Sequence, residues 1–325
     1  MSETGGLYMI SSNFDKTLRC KADIAILMAT YNGEEFITEQ IDSILNQSVQ
    51  NWELFIHDDG SVDQTMNILN RYVAQYPQKI HIVPGKSTGN AKENFFYLMK
   101  KVDANYIMFA DQDDFWKKDK VKITYKKILN LENKETNVPV LTFSDLKVVD
   151  QDLKTISPRM SQYQGLKMKN ITFNYLMAQN VVTGCTVMIN RKCKEMSLAC
   201  LEHDNVIMHD WWCALVASYF GRIDYIDDAL ILYRQHGINS VGAKNIHSVK
   251  YLKQKIYKDK DQKESLMKSE KQIAAFIKAY SIKDEYINVY SELYKLSKFR
   301  RVWFLIQNRV WKSGLLRNLG LLYFC

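Results

Sequence analysis

The sequence predicts an α/β fold built on a mixed, mainly parallel sheet flanked by helices. Three observations carry that expectation. Apolar runs of strand length alternate with helix-length amphipathic stretches from residue 23 to about 130. The connections between them are short, as in successive βαβ units. Polar clusters follow three of the apolar runs directly, and an open parallel sheet gathers such strand ends along one edge, where ligands bind.

Residues 1–21 read as a loose extension, and Asp23 to Ala29 (DIAILMA) as a buried strand that turns at Thr30-Tyr31-Asn32-Gly33. Glu34 to Asn46 sets Phe36, Ile37, Ile41, Ile44 and Leu45 at helical spacing. Trp52 to His57 is the second strand, ending in Asp58-Asp59-Gly60-Ser61, and Asp63 to Tyr76 the second helix. A short strand at Ile80 to Val83 and a helix at Asn90 to Lys101 come next. The central strand, Tyr106 to Ala110, runs straight into Asp111-Gln112-Asp113-Asp114, with a helix from Lys117 to Asn130 behind it.

Pro139 to Asp145 reads as a strand that either continues or turns back over Leu146 to Asp150. Residues 151–170 lack periodicity and are expected as a loop over the site, and Ile171 to Met177 fits a short helix or a strand. Val181 to Asn190 reads as a strand in which Gly184 marks close approach of backbone to a ligand. Met208-His209-Asp210-Trp211-Trp212 opens a helix to Phe220, followed by a strand at Arg222 to Ile226. From Ile246 to Leu296 the pattern gives two or three Lys-rich helices.

The charge is unevenly placed. Of 44 Lys/Arg and 36 Asp/Glu, 17 and 7 fall from Asn245 onward, which leaves 27 and 29 before it. The net charge of +8 therefore belongs to the tail, whereas a nucleic-acid protein spreads basic groups over its folded face. Six cysteines without a C-x-x-C pair read as reduced thiols. The polar first twenty residues are unlike a signal peptide, and no apolar run approaches the ~20 residues of a membrane span. A cytoplasmic protein is expected.

Asp111 and Asp113, two apart at a strand end, can present oxygens to Mg²⁺ or Mn²⁺, which keep the rest of their shell for water and a diphosphate. An acidic turn that merely ends a strand or caps a helix is the plainer reading. Three polar clusters on one edge point instead to a pocket for nucleotide and metal.

The ordered set ILMATYNGEEFITEQIDSILNQS, WELFIHDDGSVDQT and MFADQDDFW resembles the inverting family 2 glycosyltransferases of GT-A fold, over roughly residues 22–240. The resemblance implies a GT-A catalytic domain at 22–244 and a helical, basic region at 245–325. It implies nucleoside contacts at Thr30, Tyr31, Asn32 and Asp59, with Glu34 as a helper and Asp58 as a structural residue. Asn90 and Asn94 would meet base or ribose and Lys92 a phosphate, against the plainer reading of a helix N-cap and a solvated lysine. Asp113 would ligate the metal, Asp111 face the donor sugar or ribose, and Asp114 support the loop. Asp210 matches the catalytic base, which a weakly nucleophilic sugar hydroxyl requires. His209 and Trp211 would line the acceptor side, while Trp212 is core. His236 would return to the metal or the diphosphate, and Arg234 would neutralise the leaving diphosphate.

Finer likeness of DQDDFW, GCTVMINR, HDWW and YRQHGINSVGA to bacterial rhamnosyltransferases implies dTDP-L-rhamnose as donor, with UDP-hexoses as alternatives. It also implies a lipid-linked glycan acceptor for cell-surface polysaccharide or O-antigen, met on the inner face of the cell membrane. A non-catalytic nucleotide- or glycan-binding protein is the reading from another class, and it has no need of Asp210. Within the tail, residues 298–325 interleave aromatic and aliphatic residues with Lys/Arg. They are expected either to lie on an anionic membrane surface or to pack on the catalytic domain or on a second copy of the chain.

Overall fold

The computed structural model describes residues 17–199, 203–236 and 259–325. Most of the N-terminal extension, Cys200, the Gly237–Gly242 end of the histidine segment and the start of the tail lie outside the described residues.

A short strand β1 (Leu18–Arg19) leads into β2 (Ile24–Thr30). Along β2, Ile24, Ile26 and Met28 join one apolar cluster, and Ala25 and Leu27 the other. That is the two-residue alternation of a strand buried on both faces. The chain continues through α1 (Ile37–Leu45), β3 (Trp52–Asp58), α2 (Thr65–Gln75), β4 (Ile80–Ile82) and α3 (Ala91–Lys101). β5 (Val102–Asp103) pairs with β1, and β6 (Tyr106–Ala110) lies beside β2. After β7 (Phe115–Trp116) come α4 (Lys120–Glu132) and the long β8 (Val140–Val149). The stretch that sequence left as continuing or turning back continues.

The main sheet runs β4-β3-β2-β6 in parallel, so these strands end on one edge, with Thr30 beside Asp58 and Met28 beside Ala110. Its second half is mixed. β10 (Met188–Asn190) is antiparallel to β6 and β8, β11 (Arg222–Arg234) is parallel to β8, and β7 closes the far edge against β11.

Two sequence expectations change here. The strand read at Val181 to Asn190 is confined to its last three residues, because Gly184–Thr186 form a 3₁₀ turn. Thr186 and Val187 donate back to Thr183 and Gly184 instead of entering the ladder. The strand expected to end at Ile226 runs on to Arg234, past two register shifts against β8, and so delivers Arg234 and His236 to the site. The loop at 151–170 contains β9 (Thr155–Ser157) and a single turn, α5 (Met160–Tyr163), and residues 173–178 form α6.

α1, α2 and α4 cover one face of the sheet, and α3, α6, α7 (Arg191–Ser197) and α8 (His209–Phe220) the other. The C-terminal helices α9 (Asp259–Tyr280), α10 (Glu285–Ser291), α11 (Lys298–Gln307) and α12 (Leu315–Phe324) extend that second layer. Ile273 and Phe276 of α9 are fully buried, with the Phe276 ring 5.5 Å from Trp212. Burial of this kind contributes about 1.5–3 kcal/mol per large apolar side chain. Hydrogen bonds add direction: Tyr290 donates to the Met177 carbonyl at 3.1 Å and Tyr280 to that of Met196 at 2.7 Å. Among the described residues no helix is long and apolar enough to cross a membrane.

Candidate active site

The polar strand ends form one connected edge. Thr30 Oγ1 donates to Asp58 Oδ1 at 2.9 Å, and Asp58 also accepts from Gly60 N at 3.1 Å and Ser61 N at 2.8 Å. Asp58 is thus a turn-builder. Asn32 takes a left-handed φ of 47° and accepts from Val62 N at 2.9 Å, while Glu34 accepts from Gln64 N at 2.7 Å. The Tyr31 ring is 57% exposed. Its backbone is held by both ends of the Gln112 amide, at 2.9 Å each. A Cβ at Gly33 would strike that amide, so a larger residue there would displace the Gln112 side chain from the Tyr31 backbone. Gln112 was not singled out from sequence, because its role is visible only once the first and third strand ends are neighbours.

Asp59 accepts from Thr88 Oγ1 at 2.9 Å and Gly89 N at 3.0 Å, as well as from Thr88 N, and so shapes the 87–89 loop. Asn90, Lys92 and Asn94, expected at the nucleotide, have local partners. Asn90 caps α3 by accepting from Glu93 N at 3.0 Å. Asn94 is buried against His57, donating to its carbonyl at 3.2 Å and pairing with Nδ1 at 3.0 Å. Lys92 reaches the Val206 carbonyl at 3.1 Å. All three side chains serve local structure.

The acidic loop holds Asp113 against His236, Oδ2 to Nε2 at 2.7 Å. Arg234, expected at the diphosphate, is only 2% exposed. Its guanidinium pairs with Glu39 at 2.5 Å, donates to the carbonyls of Asp113 (3.0 Å) and Gln151, and lies 4.5 Å from the Phe36 ring. The same Phe36 ring stands 4.9 Å from His236. Arg234 is therefore the buried post on which the Asp113–His236 pair is mounted.

Asp210 sits in the first turn of α8, where the helix dipole favours an anion. It is 6% exposed and accepts from Trp211 N at 2.6 Å and Asn180 Nδ2 at 3.4 Å. Gly184 comes close beneath it; a Cβ there would lie 3.1 Å from His209 Nε2 and 3.6 Å from Asp210 Oδ2. Burial pushes Asp210 up to about 7, in spite of these donors. Asp111 is also pushed up to about 7, by burial first and then by the charges of Asp113 and Asp210. The acidic loop and the head of α8 are therefore close enough for their charges to interact.

His209 does not line an acceptor surface. It is 2% exposed and sandwiched between Phe95 at 4.1 Å and Phe109 at 4.7 Å. Burial lowers it to about 3, so the ring is neutral. Trp211 is better placed. Its indole donates to the Leu176 carbonyl at 2.6 Å, and it lines a depression of about 260 Å³ with Ile207, Glu264 and Lys268. A larger cavity of about 450 Å³ lies at the opposite, N-terminal end of the strands, around the Arg191–Asp103 ion pair.

The sequence profile of glycosyl transferase family 2 matches residues 25–191. A dTDP-rhamnosyl transferase, RfbG, of Shigella flexneri is 33% identical over 235 residues, 69% of this chain and 76% of that protein. The chain is a family 2 glycosyltransferase. A teichuronic acid biosynthesis glycosyltransferase, TuaG, of Bacillus subtilis (strain 168), itself described as putative, is 28% identical over 170 residues, 52% of this chain and 62% of that one. The crystal structure of S. aureus TarS 1–349 in complex with UDP aligns with a TM-score of 0.52 at 15% identity. It covers 88% of this chain and 70% of that one, and it shows the GT-A fold.

The transferase's donor set fits a divalent cation. A carboxylate and an imidazole already in contact, Asp113 and His236, suit Mn²⁺ or Mg²⁺ next to a diphosphate. Asp111, Asp114 and Cys185 also bring ligand atoms within 4.8 Å of one another. Burial and the two acidic neighbours, however, hold the Cys185 thiol well above its ordinary range, and a protonated thiol is a poor ligand for a hard cation.

Proposed function

We propose that this glycosyltransferase moves L-rhamnose from dTDP-L-rhamnose to a hydroxyl of a lipid-linked glycan, with inversion, in cell-surface polysaccharide synthesis. The observation that carries the mechanism is the placement of Asp210 opposite the Asp111–Asp113 loop, with its affinity for a proton raised to about 7. A base of that strength takes a proton near neutral pH yet is ionised often enough to act. The donor rests on the likeness to the Shigella flexneri dTDP-rhamnosyl transferase.

In this reading residues 22–244 form the catalytic domain. Thr30, Tyr31 and Asn32, on the edge tied together by Asp58 and Gln112, hold the nucleoside. Asp113 and His236 hold a cation that supplies positive charge against the diphosphate. Asp111 orients the donor sugar. The acceptor sugar lies on the Trp211 side, where an indole face and polar neighbours suit a sugar ring. Asp210 accepts the hydroxyl proton as that oxygen bonds to the anomeric carbon. The bond from that carbon to the phosphate oxygen breaks on the opposite face, and the electron pair leaves with the nucleoside diphosphate.

The test is release of nucleoside diphosphate from dTDP-rhamnose, UDP-galactose, UDP-glucose and UDP-N-acetylglucosamine, with Mn²⁺ or Mg²⁺ and with or without a rhamnose-terminated lipid acceptor. Acceptor-stimulated release from dTDP-rhamnose that disappears in Asp210→Asn is the expected result. Release from a UDP-sugar alone would discard the donor and keep the mechanism.

A further inference from the structure

The tail helices have two apolar faces, and the described residues cover only one of them. Phe304 and Leu305 of α11, Val310 in the connector and Leu321 of α12 are buried against the catalytic layer. On the other side, Phe299, Trp303 and Ile306 of α11 follow i, i+4, i+7 spacing and are 79%, 61% and 46% exposed. Leu315, Leu316, Leu319 and Tyr323 of α12 form a second exposed stripe. Lys298 of α11 lies 4.8 Å over the Tyr323 ring of α12, which joins the stripes into one surface. A contiguous exposed surface of this kind marks a docking site.

Charge decides what it fits. After Glu292 the chain has no acidic residue, but it has seven basic ones. Lys298, Arg300 and Arg309 stay exposed beside the apolar stripes. Arg317 is spent internally on the carbonyls of Gln164 and Gly165, and Arg301 on those of Leu296 and Tyr294. A second copy of the same basic surface would set like charges against each other, whereas an anionic leaflet offers opposite charge and an apolar interior together.

We infer that the joint α11–α12 face is a monolayer-docking surface. Phe299, Trp303, Leu316 and Leu319 enter the headgroup–acyl boundary of an anionic bilayer, and Lys298, Arg300 and Arg309 bind its phosphates. This deepens the lipid-linked acceptor reading above by naming the surface that meets the lipid, and its test needs neither donor nor acceptor.

The full chain is sedimented with vesicles of phosphatidylcholine alone and of phosphatidylcholine with 30% phosphatidylglycerol, and its oligomeric state is measured by analytical ultracentrifugation. Two variants are compared: Phe299→Gln/Trp303→Gln/Leu316→Gln/Leu319→Gln, and Lys298→Gln/Arg300→Gln/Arg309→Gln. All seven side chains are exposed, and circular dichroism melts check that the fold is kept. Wild type is expected to bind the anionic vesicles and far less the neutral ones. The charge variant is expected to weaken binding by roughly a hundredfold, and the apolar variant to abolish it. No binding to anionic vesicles, binding that either variant leaves unchanged, or a wild-type dimer that the apolar variant splits would overturn the inference. Sugar transfer to a soluble acceptor by the apolar variant is expected to continue, which separates failure of this inference from failure of the catalytic reading.

Discussion

Replacing Asp210 with asparagine should exchange catalysis for stability, and the exchange should depend on pH. In the folded chain the carboxyl ionises near 7, against an ordinary value of 3.8, because burial disfavours the anion. A carboxyl raised on folding binds its proton more tightly in the native state, so the wild type loses stability as pH rises from the ordinary value through 7. Between pH 5 and pH 8 the loss spans two pH units at about 1.36 kcal/mol each, or about 2.7 kcal/mol. The neighbouring charge of Asp111 shares part of this, so about 2 kcal/mol is the working figure. Asparagine keeps an acceptor for Trp211 N and Asn180 and carries no charge at either pH, so its own contribution does not vary with pH. The assay is urea unfolding of both proteins at pH 5 and pH 8. The stability of Asp210→Asn relative to wild type should improve by about 2 kcal/mol between the two, while its turnover at pH 8 falls about 10²- to 10⁴-fold. An equal stability difference at both pH values would refute the buried, proton-hungry carboxylate.

Three further outcomes follow from the site. Asp113→Ala or His236→Ala should weaken Mn²⁺ binding about 10- to 100-fold, read by calorimetry in the presence of dTDP, with little change in the melt without metal. Arg234→Met should lower stability by about 2–4 kcal/mol, a value discounted because Glu39 is half in water; unaltered stability with reduced turnover would restore the diphosphate role. His209→Leu should leave turnover within about twofold and raise stability by up to about 2 kcal/mol, since it removes two unpartnered buried nitrogens. Because folding lowers the His209 value to about 3, wild type also loses stability as pH falls below 6.5, and the leucine variant should lack that component.

The alternation along β2 and β6 and the three polar strand ends were legible because each depends on neighbours in sequence. So was the pairing of Asp113 with His236, through the resemblance. What escaped depends on distant partners. Nothing near Arg234 announces Glu39, 195 positions away, as the carboxylate its guanidinium pairs with. Asn90 and Asn94 look alike in sequence; one caps a helix and the other is buried under His57. His209 and Asp210 are adjacent, yet the helix turns one between Phe95 and Phe109 and the other to the Asn180 amide. Gly184 does mark a close approach, but to the side chains of His209 and Asp210.

Ser313, between the two tail helices, donates its backbone N–H to Gln179 at 2.6 Å. The next residue, Asn180, holds the Asp210 carboxylate. The Asn308 carbonyl in turn accepts from the Asn174 side-chain amide at 2.6 Å. The tail is thus bolted to the segment that holds Asp210. Under the proposed docking, the tail would rest on the membrane and the reacting centre would stand at one fixed height above it. The number of sugars between an anchored acceptor's root and its reactive hydroxyl would then be something the protein measures, and chains too short to span that height would go unextended.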